Sequence, residues 1–244
     1  MKFFNLLKQK NKMKKIGLIG GTTWHSTIDY YTFINQIVNE RLGNDNSADL
    51  ILRSVNFEAY RILAEAGKWD IVAENLSTIA IELQSIGAEA VALCANTTHK
   101  TAEIVQKNIQ IPLLHIGDAM AAELLQMKSK TTGLIGTIYT MKSDFIPHKL
   151  KEKGIETIVP DITDMELLNR IIFDELAKGI FKDETKTKIL EVLDKLKKNG
   201  ADSIILGCTE FPLIIKESDT NLPVLNSTLV HAKYIVDFAL ESVN

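Results

Sequence analysis

The residues of this chain that could do chemistry gather at two matching places. Residues 200–212, GADSIILGCTEFP, carry an apolar run that stops in Cys208-Thr209-Glu210, a thiol, a hydroxyl and a carboxylate in succession. The plain reading of Cys208 is a small buried residue, since free cysteine is among the most buried types. Its place after Gly207, at the end of a predicted strand and beside two polar side chains, instead suits a catalytic thiol in a partly exposed polar pocket. Residues 87–99, GAEAVALCANTTH, repeat the Gly-Ala-acid opening, the apolar run and the polar ending about 113 residues earlier. There Asn96, Thr97 and Thr98 form an amide–hydroxyl cluster where a helix is expected to start. Such residues cap helices, and the free N–H groups of a helix start also take a carboxylate. Thr137 and Thr140, and Thr22 and Thr23, stand after two further predicted strands and invite the same reading as substrate ligands. Gly20-Gly21 has neither the spacing of a dinucleotide loop nor the lysine of a phosphate loop. His99 and His115 lack metal-ligand spacing with Cys94, so no metal site is expected.

The elements that must hold these residues alternate. Strands are predicted at 15–20, 50–55, 90–94, 112–115, 132–137, 155–160, 203–207 and 222–226. Helices are predicted between them, at 28–41, 70–86, up to 108, 119–127, 166–178 and 184–198, with one more closing the chain. On the first helix Tyr31, Ile34 and Val38 are the apolar positions; on the second Ile71, Leu76, Ile79 and Leu83 form the inward stripe, with Gly87 as the stop. Strands alternating with helices imply parallel sheets covered on both faces. The repeat implies two of them: an α/β fold of two pseudo-symmetric, internally duplicated domains, with the active site in the cleft between them. The expected boundaries are 14–115, joined by the returning C-terminal helix at about 227–244, and 116–226. Residues 1–13 read as a basic leader, with Met13 a possible start. The repeats align without gaps, Leu93 on Leu206, Cys94 on Gly207 and Ala95 on Cys208. Because strand side chains alternate in direction, Cys94 is expected to face away from the cleft. Lys178, closing a helix, reads first as a favourable C-terminal charge.

Bulk composition excludes several classes. With 28 basic and 31 acidic residues, the net charge of −3 offers no field for nucleic acid or an anionic membrane. Two cysteines form no disulfide framework and fit a reducing, cytoplasmic setting. No apolar run reaches the roughly 20 residues that span a bilayer.

These motifs resemble the aspartate/glutamate racemase family of cofactor-independent amino-acid racemases. The matching residues are GLIGGTTWHSTIDYY at 17–31 with Asn35, VNF at 55–57, ANTTH at 95–99, GTIYT at 136–140 with Asp144-Phe145, and GCTE at 207–210. They run from about residue 15 to the end of the chain. The resemblance implies a homodimer, no pyridoxal phosphate or other cofactor, and a small acidic amino acid or dicarboxylate as substrate. It also implies a thiolate removing the α-proton on one face while a thiol returns one on the other. It makes Cys208 the second catalytic cysteine and gives the substrate-binding task to Thr23, Asn96, Thr97, Thr98, Thr137, Thr140, Thr209 and Glu210, with the N–H and hydroxyl donors holding the carboxylate. It places a cation for the side-chain carboxylate near Lys178, with Arg53 a further candidate. One position departs from the pattern. The family has cysteine before Asn-Thr, and this chain has Ala95, which cannot exchange a proton. The expectation is a one-thiol enzyme with reduced or direction-biased activity, in which water, His99 or a displaced Cys94 serves the second face. A one-thiol decarboxylase and a non-catalytic carboxylate binder are the alternatives. Thr22-Thr23 replaces the usual Met-Ser, which bears on substrate range.

Overall fold

The computed structural model describes residues 13–241, so the expected leader lies outside it apart from Met13. The chain divides into two compact units, one running to His115 and resuming at His231, the other Ile116–Val230.

In the first unit β1 (Ile16–Gly20) lies between β2 (Leu50–Ser54) and β3 (Ala90–Leu93), and both pairings are parallel. The strand expected at 112–115 is reduced to one parallel bridge between Val91 and Leu113. Pro112 accepts from the Val91 N–H but has no N–H of its own to extend the ladder. In the second unit β4 (Thr131–Gly136), β5 (Glu156–Ile158), β6 (Ser203–Gly207) and β7 (Val224–Asn226) form a parallel sheet in the order β5-β4-β6-β7. This is the order of the first unit place for place, with β7 where the Leu113 bridge stands. Ile19 pairs with Leu93 as Ile135 pairs with Leu206, which is the ungapped register of the two motifs.

Helices cover the sheets as the periodicity requires, with corrections of detail. The first, α1 (Trp24–Leu42), begins four residues earlier than expected because Thr23 is its N-cap. It buries Tyr30, Ile34 and Val38, spaced by four, and leaves Tyr31 exposed. A short α2 (Phe57–Glu65), not expected from the sequence, has no fully buried residue and rests half-buried Tyr60 and Leu63 on the core. In α3 (Trp69–Ser85), Val72 rather than Ile71 heads the stripe through Leu76, Ile79 and Leu83, because a spacing of four keeps one face and five does not. That stripe packs on Ile19, Val91 and Leu93. After β3 a 3-10 turn (Thr97–Thr101) leads into α4 (Ala102–Asn108).

The second unit holds α5 (Ile116–Gln126), α6 (Ile138–Lys142), α7 (Phe145–Lys151), α8 (Ile162–Asp174), α9 (Asp183–Lys198) and α10 (Phe211–Ile214). The one- and two-turn helices α6, α7 and α10 are too short to show a period. Ile189, Val192, Leu193 and Leu196 of α9 join Leu168 and Ile172 of α8 against Ile135, Ile204 and Leu206. Fully burying one such side chain contributes about 1.5–3 kcal/mol. The final helix, α11 (Ser227–Leu240), starts in the second unit and continues into the first. There Arg41 pairs with Asp237, and Lys14 reaches Glu241 at 2.7 Å.

The Gly-Ala-acid openings have a structural purpose. Gly87 and Gly200 take φ of +97° and +103°, the left-handed region that ends a helix without strain in glycine. The acids then anchor the neighbouring strand. Glu89 gives its N–H to the Lys15 carbonyl at 2.7 Å and accepts from the Lys15 N–H at 3.1 Å. Asp202 gives its N–H to Thr131 at 2.8 Å and accepts from the N–H groups of Lys130 at 2.8 Å and Thr131 at 3.2 Å, and from the Ser129 hydroxyl. Asp202→Ala strands more donors than Glu89→Ala. It should lower unfolding free energy by about 1–3 kcal/mol, and Glu89→Ala by less, in urea titrations followed by circular dichroism.

Candidate active site

In both sheets the polar motifs sit beyond the carboxyl ends of the central strands, where open α/β folds bind ligands. In the second unit β4 and β6 end side by side at Gly136 and Gly207. A Cβ at Gly207 would stand 2.8 Å from the Ile135 carbonyl, so only glycine lets the strands close at this level. Thr137 caps α6, its hydroxyl accepting from the Thr140 N–H at 3.3 Å. The Thr140 side chain lies over both glycines and is 1% exposed. Thr137 and Thr140 are therefore gathered at the strand ends with Cys208, Thr140 as packing and Thr137 as a half-exposed cap.

Cys208 itself is partly exposed and rests against the apolar cluster of β6, α8 and α9. Its Sγ–H donates to Glu210 Oε2 at 2.8 Å, and the Thr209 hydroxyl donates to the same oxygen at 3.0 Å. Burial against the cluster pushes the thiol pKa well up, and the Glu210 charge and hydrogen bond push it further. Both causes favour the neutral thiol over the thiolate. The thiolate expected from the sequence would need a positive charge, and the nearest ionisable partner is negative.

The first unit shows the same layout with other side chains. Thr23 caps α1 by accepting from the Ser26 N–H at 3.3 Å. Thr27 packs on Gly20, takes the Gly21 N–H at 2.8 Å and gives its hydroxyl to the Thr23 carbonyl at 3.0 Å. Gly21 has φ of +90°, and a Cβ there would meet the Val55 carbonyl at 2.2 Å, so the turn admits no side chain. Ala95 and Thr97 are half-buried, and Asn96 and Thr98 are buried. The Thr98 hydroxyl is turned back to the Ala95 carbonyl at 2.9 Å. Cys94 is 1% exposed, in the seat aligned with Gly207, and burial drives its thiol pKa up. Ser26 escaped the sequence reading, yet it is 3% exposed and its hydroxyl donates to the Cys94 carbonyl at 2.7 Å. Its signal was its place three residues after a capping threonine, with its side chain free to turn inward.

Behind this loop lies a buried histidine cluster. The His99 ring meets those of His115 and His231 edge-on, at centroid distances of 4.8 and 5.4 Å. His231 gives Nε2–H to the Leu114 carbonyl and accepts from the Tyr30 hydroxyl at Nδ1, both at 2.8 Å. Burial lowers the His99 pKa to about 4, against partial compensation by backbone carbonyls. Burial, then the neighbouring His99, holds His231 well below the usual histidine value. Among the described residues no group of His, Cys, Asp and Glu is arranged to hold a metal ion, and no helix is long and apolar enough to cross a membrane.

Lys178 is exposed, 3.9 Å from the Asp174 carboxylate, in the turn between α8 and α9. Because α9 runs directly into β6, its last turn lies at the strand entrance, where Lys195 grips Asp164 of α8. The opposite end of this antiparallel helix pair, with Lys178, is therefore on the strand-exit side, as Cys208 is. Arg53 is exposed on β2 and donates to the Ser54 carbonyl.

The chain thus carries two parallel sheets of like strand order, with a thiol–carboxylate pair at the exit of β6. The chain belongs to the Asp/Glu/Hydantoin racemase family, which it matches over residues 19–235. It is similar to an aspartate racemase homologue from Pyrococcus horikoshii OT3, with 38% identity and a TM-score of 0.83 over 93% of this chain and 99% of that one. It is also similar to a protein from Yersinia pestis named provisionally as an Asp/Glu racemase. That likeness has 44% identity and a TM-score of 0.89, over 93% of this chain and all of the other. A glutamate racemase from Aquifex pyrophilus is 30% identical over 138 residues, 55% of this chain and 51% of that protein. The chain spans little more than half the length of the curated relatives it matches, from 51% to 59% for three of them.

Two outcomes follow. Glu210→Gln removes the charge that opposes ionisation, so the Cys208 pKa should fall, read as faster iodoacetamide alkylation at a given pH; an unchanged pH profile would refute the coupling. Secondly, His99 resists protonation when folded but titrates near its ordinary value when unfolded. Its linkage term is absent above about pH 6.5 and destabilises progressively as pH falls toward about 4, by on the order of 3 kcal/mol. Urea midpoints should follow that window, and His99→Asn should flatten it.

Proposed function

We propose that this protein is a cofactor-independent amino-acid racemase for aspartate- or glutamate-like substrates, working by proton transfer at the α-carbon with Cys208 as its acid–base thiol. The observation that carries the reading is the Cys208–Glu210 hydrogen bond at the exit of β6, within a chain of the racemase family. The names of its relatives, aspartate and glutamate racemases, support the acidic substrate class. To remove an α-proton, the Sγ proton moves to Glu210 Oε2 and the thiolate takes the proton from carbon. In the other direction the thiol gives its proton to the carbanion, and Glu210 returns one to sulfur. The Asn96-Thr97-Thr98 loop, Thr23, Thr137 and Thr209 supply donors for the substrate carboxylates, and their fixed dipoles favour the developing charge. Lys178, on the exit side, suits the side-chain carboxylate.

The opposite face lacks a thiol. The Ala95 methyl exchanges no proton. His99 has its single N–H committed to the Ala95 carbonyl, and Cys94 is sealed beneath with its carbonyl tied to Ser26. Water is the donor that remains, delivering a proton and leaving hydroxide that the proton held by Glu210 neutralises. Racemisation is therefore slow and direction-biased. A homodimer acting in the cytoplasm on a free amino acid is the setting this chemistry fits. The protonated resting thiol also favours a second reading, one-sided protonation of a planar intermediate after decarboxylation.

Deuterium uptake from solvent at the α-carbon separates the readings. Uptake with inversion of aspartate or glutamate is expected, at a low rate. Uptake without inversion would leave one working face, and binding without uptake would refute catalysis. Cys208→Ala should reduce any uptake by about 10³-fold or more.

A further inference from the structure

We propose that Ser26 and His99 are positioning residues for position 95: they tie the two carbonyls that flank it and so fix the direction of its side chain. The proposal rests on the reading of the Ala95 loop as the second proton-transfer face.

The peptide plane before Ala95 is held through the Cys94 carbonyl, which takes the Ser26 hydroxyl at 2.7 Å. The plane after it is held through the Ala95 carbonyl, which takes His99 Nδ1–H and the Thr98 hydroxyl, each at 2.9 Å. A peptide is planar, so fixing its oxygen fixes its N–H, which points the opposite way. Fixing both planes around one residue sets its φ and ψ, and with them the Cα–Cβ bond. Residue 95 therefore aims whatever side chain it carries along one line. The Ala95 and Asn96 N–H vectors are set by the same ties, turned away from the protein groups that hold the carbonyls.

The chemistry of His99 points to the same purpose. A carbonyl only accepts, so Nδ1 carries the proton and Nε2 the lone pair. That Nε2 is buried and has no hydrogen-bond partner among the described residues. Leaving a polar atom so is unfavourable, and an aliphatic side chain would avoid it. The bond to the Ala95 carbonyl is what the imidazole provides in return. Its low pKa keeps this tautomer neutral at ordinary pH. Ser26 is likewise reached through a chain of fixed groups, from the Thr23 hydroxyl to the Ser26 N–H and from its hydroxyl to Cys94.

The test restores a thiol at this position. A95C should raise racemisation of aspartate or glutamate. Adding Ser26→Ala or His99→Leu should then cut kcat about 10- to 100-fold, since displacement near 1 Å costs about 100-fold, with KM little changed. The ratio of deuterium uptake on the two faces should shift toward the Cys208 face. His99→Asn, which keeps an N–H near the Nδ1 position, should recover most of the loss. An equal fall on both faces, or no recovery by asparagine, would overturn the proposal. If A95C and the native chain show no uptake, the racemase reading fails separately. The ties are then judged by amide hydrogen exchange in the native background, where Ser26→Ala and His99→Leu should speed exchange at residues 95–97 about tenfold more than elsewhere. Uniform or absent acceleration would again overturn it.

Discussion

A carboxylate held against a thiol is the interaction on which the proposed chemistry of this protein depends. Glu210 lies two residues from Cys208, accepts its proton-bearing sulfur at 2.8 Å and takes the Thr209 hydroxyl as well. Two anions so close, beside an apolar cluster, would repel strongly. Burial and the neighbouring Glu210 push the Cys208 thiol pKa well up, which favours its neutral form. Such an arrangement provides an acid directly and a base only through transfer within the pair. It differs from a thiolate stabilised by cations, and it makes the carboxylate part of the acid–base unit.

The duplication shows how one architecture was kept while its chemistry diverged. Gly87 and Gly200, and the acids Glu89 and Asp202, do the same work at both strand entrances. At the exits the register is the same and the residues are not. Gly207 is required by the 2.8 Å approach of the Ile135 carbonyl, and the next residue is Cys208. In the first half the equivalent strand position is Cys94, buried and inert, and the exit residue is Ala95. A sulfur and a methyl thus occupy equivalent seats. Loss of an exchangeable proton at one of them leaves the surrounding loop intact, with its carbonyls tied by Ser26, Thr98 and His99. A loop held that firmly is costly in unsatisfied polarity, and the buried imidazole nitrogen of His99 is where the cost falls.

Much of this was legible in the chain itself. The 113-residue echo of GAEAVALCANTTH in GADSIILGCTEFP implied two parallel sheets, because apolar runs of five with helices between them have few other ways to be buried; their strand order came from the structure. The same echo aligned Ala95 with Cys208 and Cys94 with Gly207, one residue earlier, where a one-residue shift on a strand reverses the face. The family matched by the chain and the α/β architecture were implied by those motifs together.

Tertiary structure decided what no spacing could. A glutamate two residues after a cysteine has several rotamers, and only packing turned its carboxylate onto the sulfur. Ser26 and Cys94 are far apart in sequence, and their bond exists because α1 packs across the exit of β3. His99, His115 and His231 come from a 3-10 turn, a loop and α11, and meet only when α11 returns to the first unit. The chain determined which groups were available and on which strand ends they fell. Which proton each group holds depends on burial and near neighbours, and those arise only when distant segments pack.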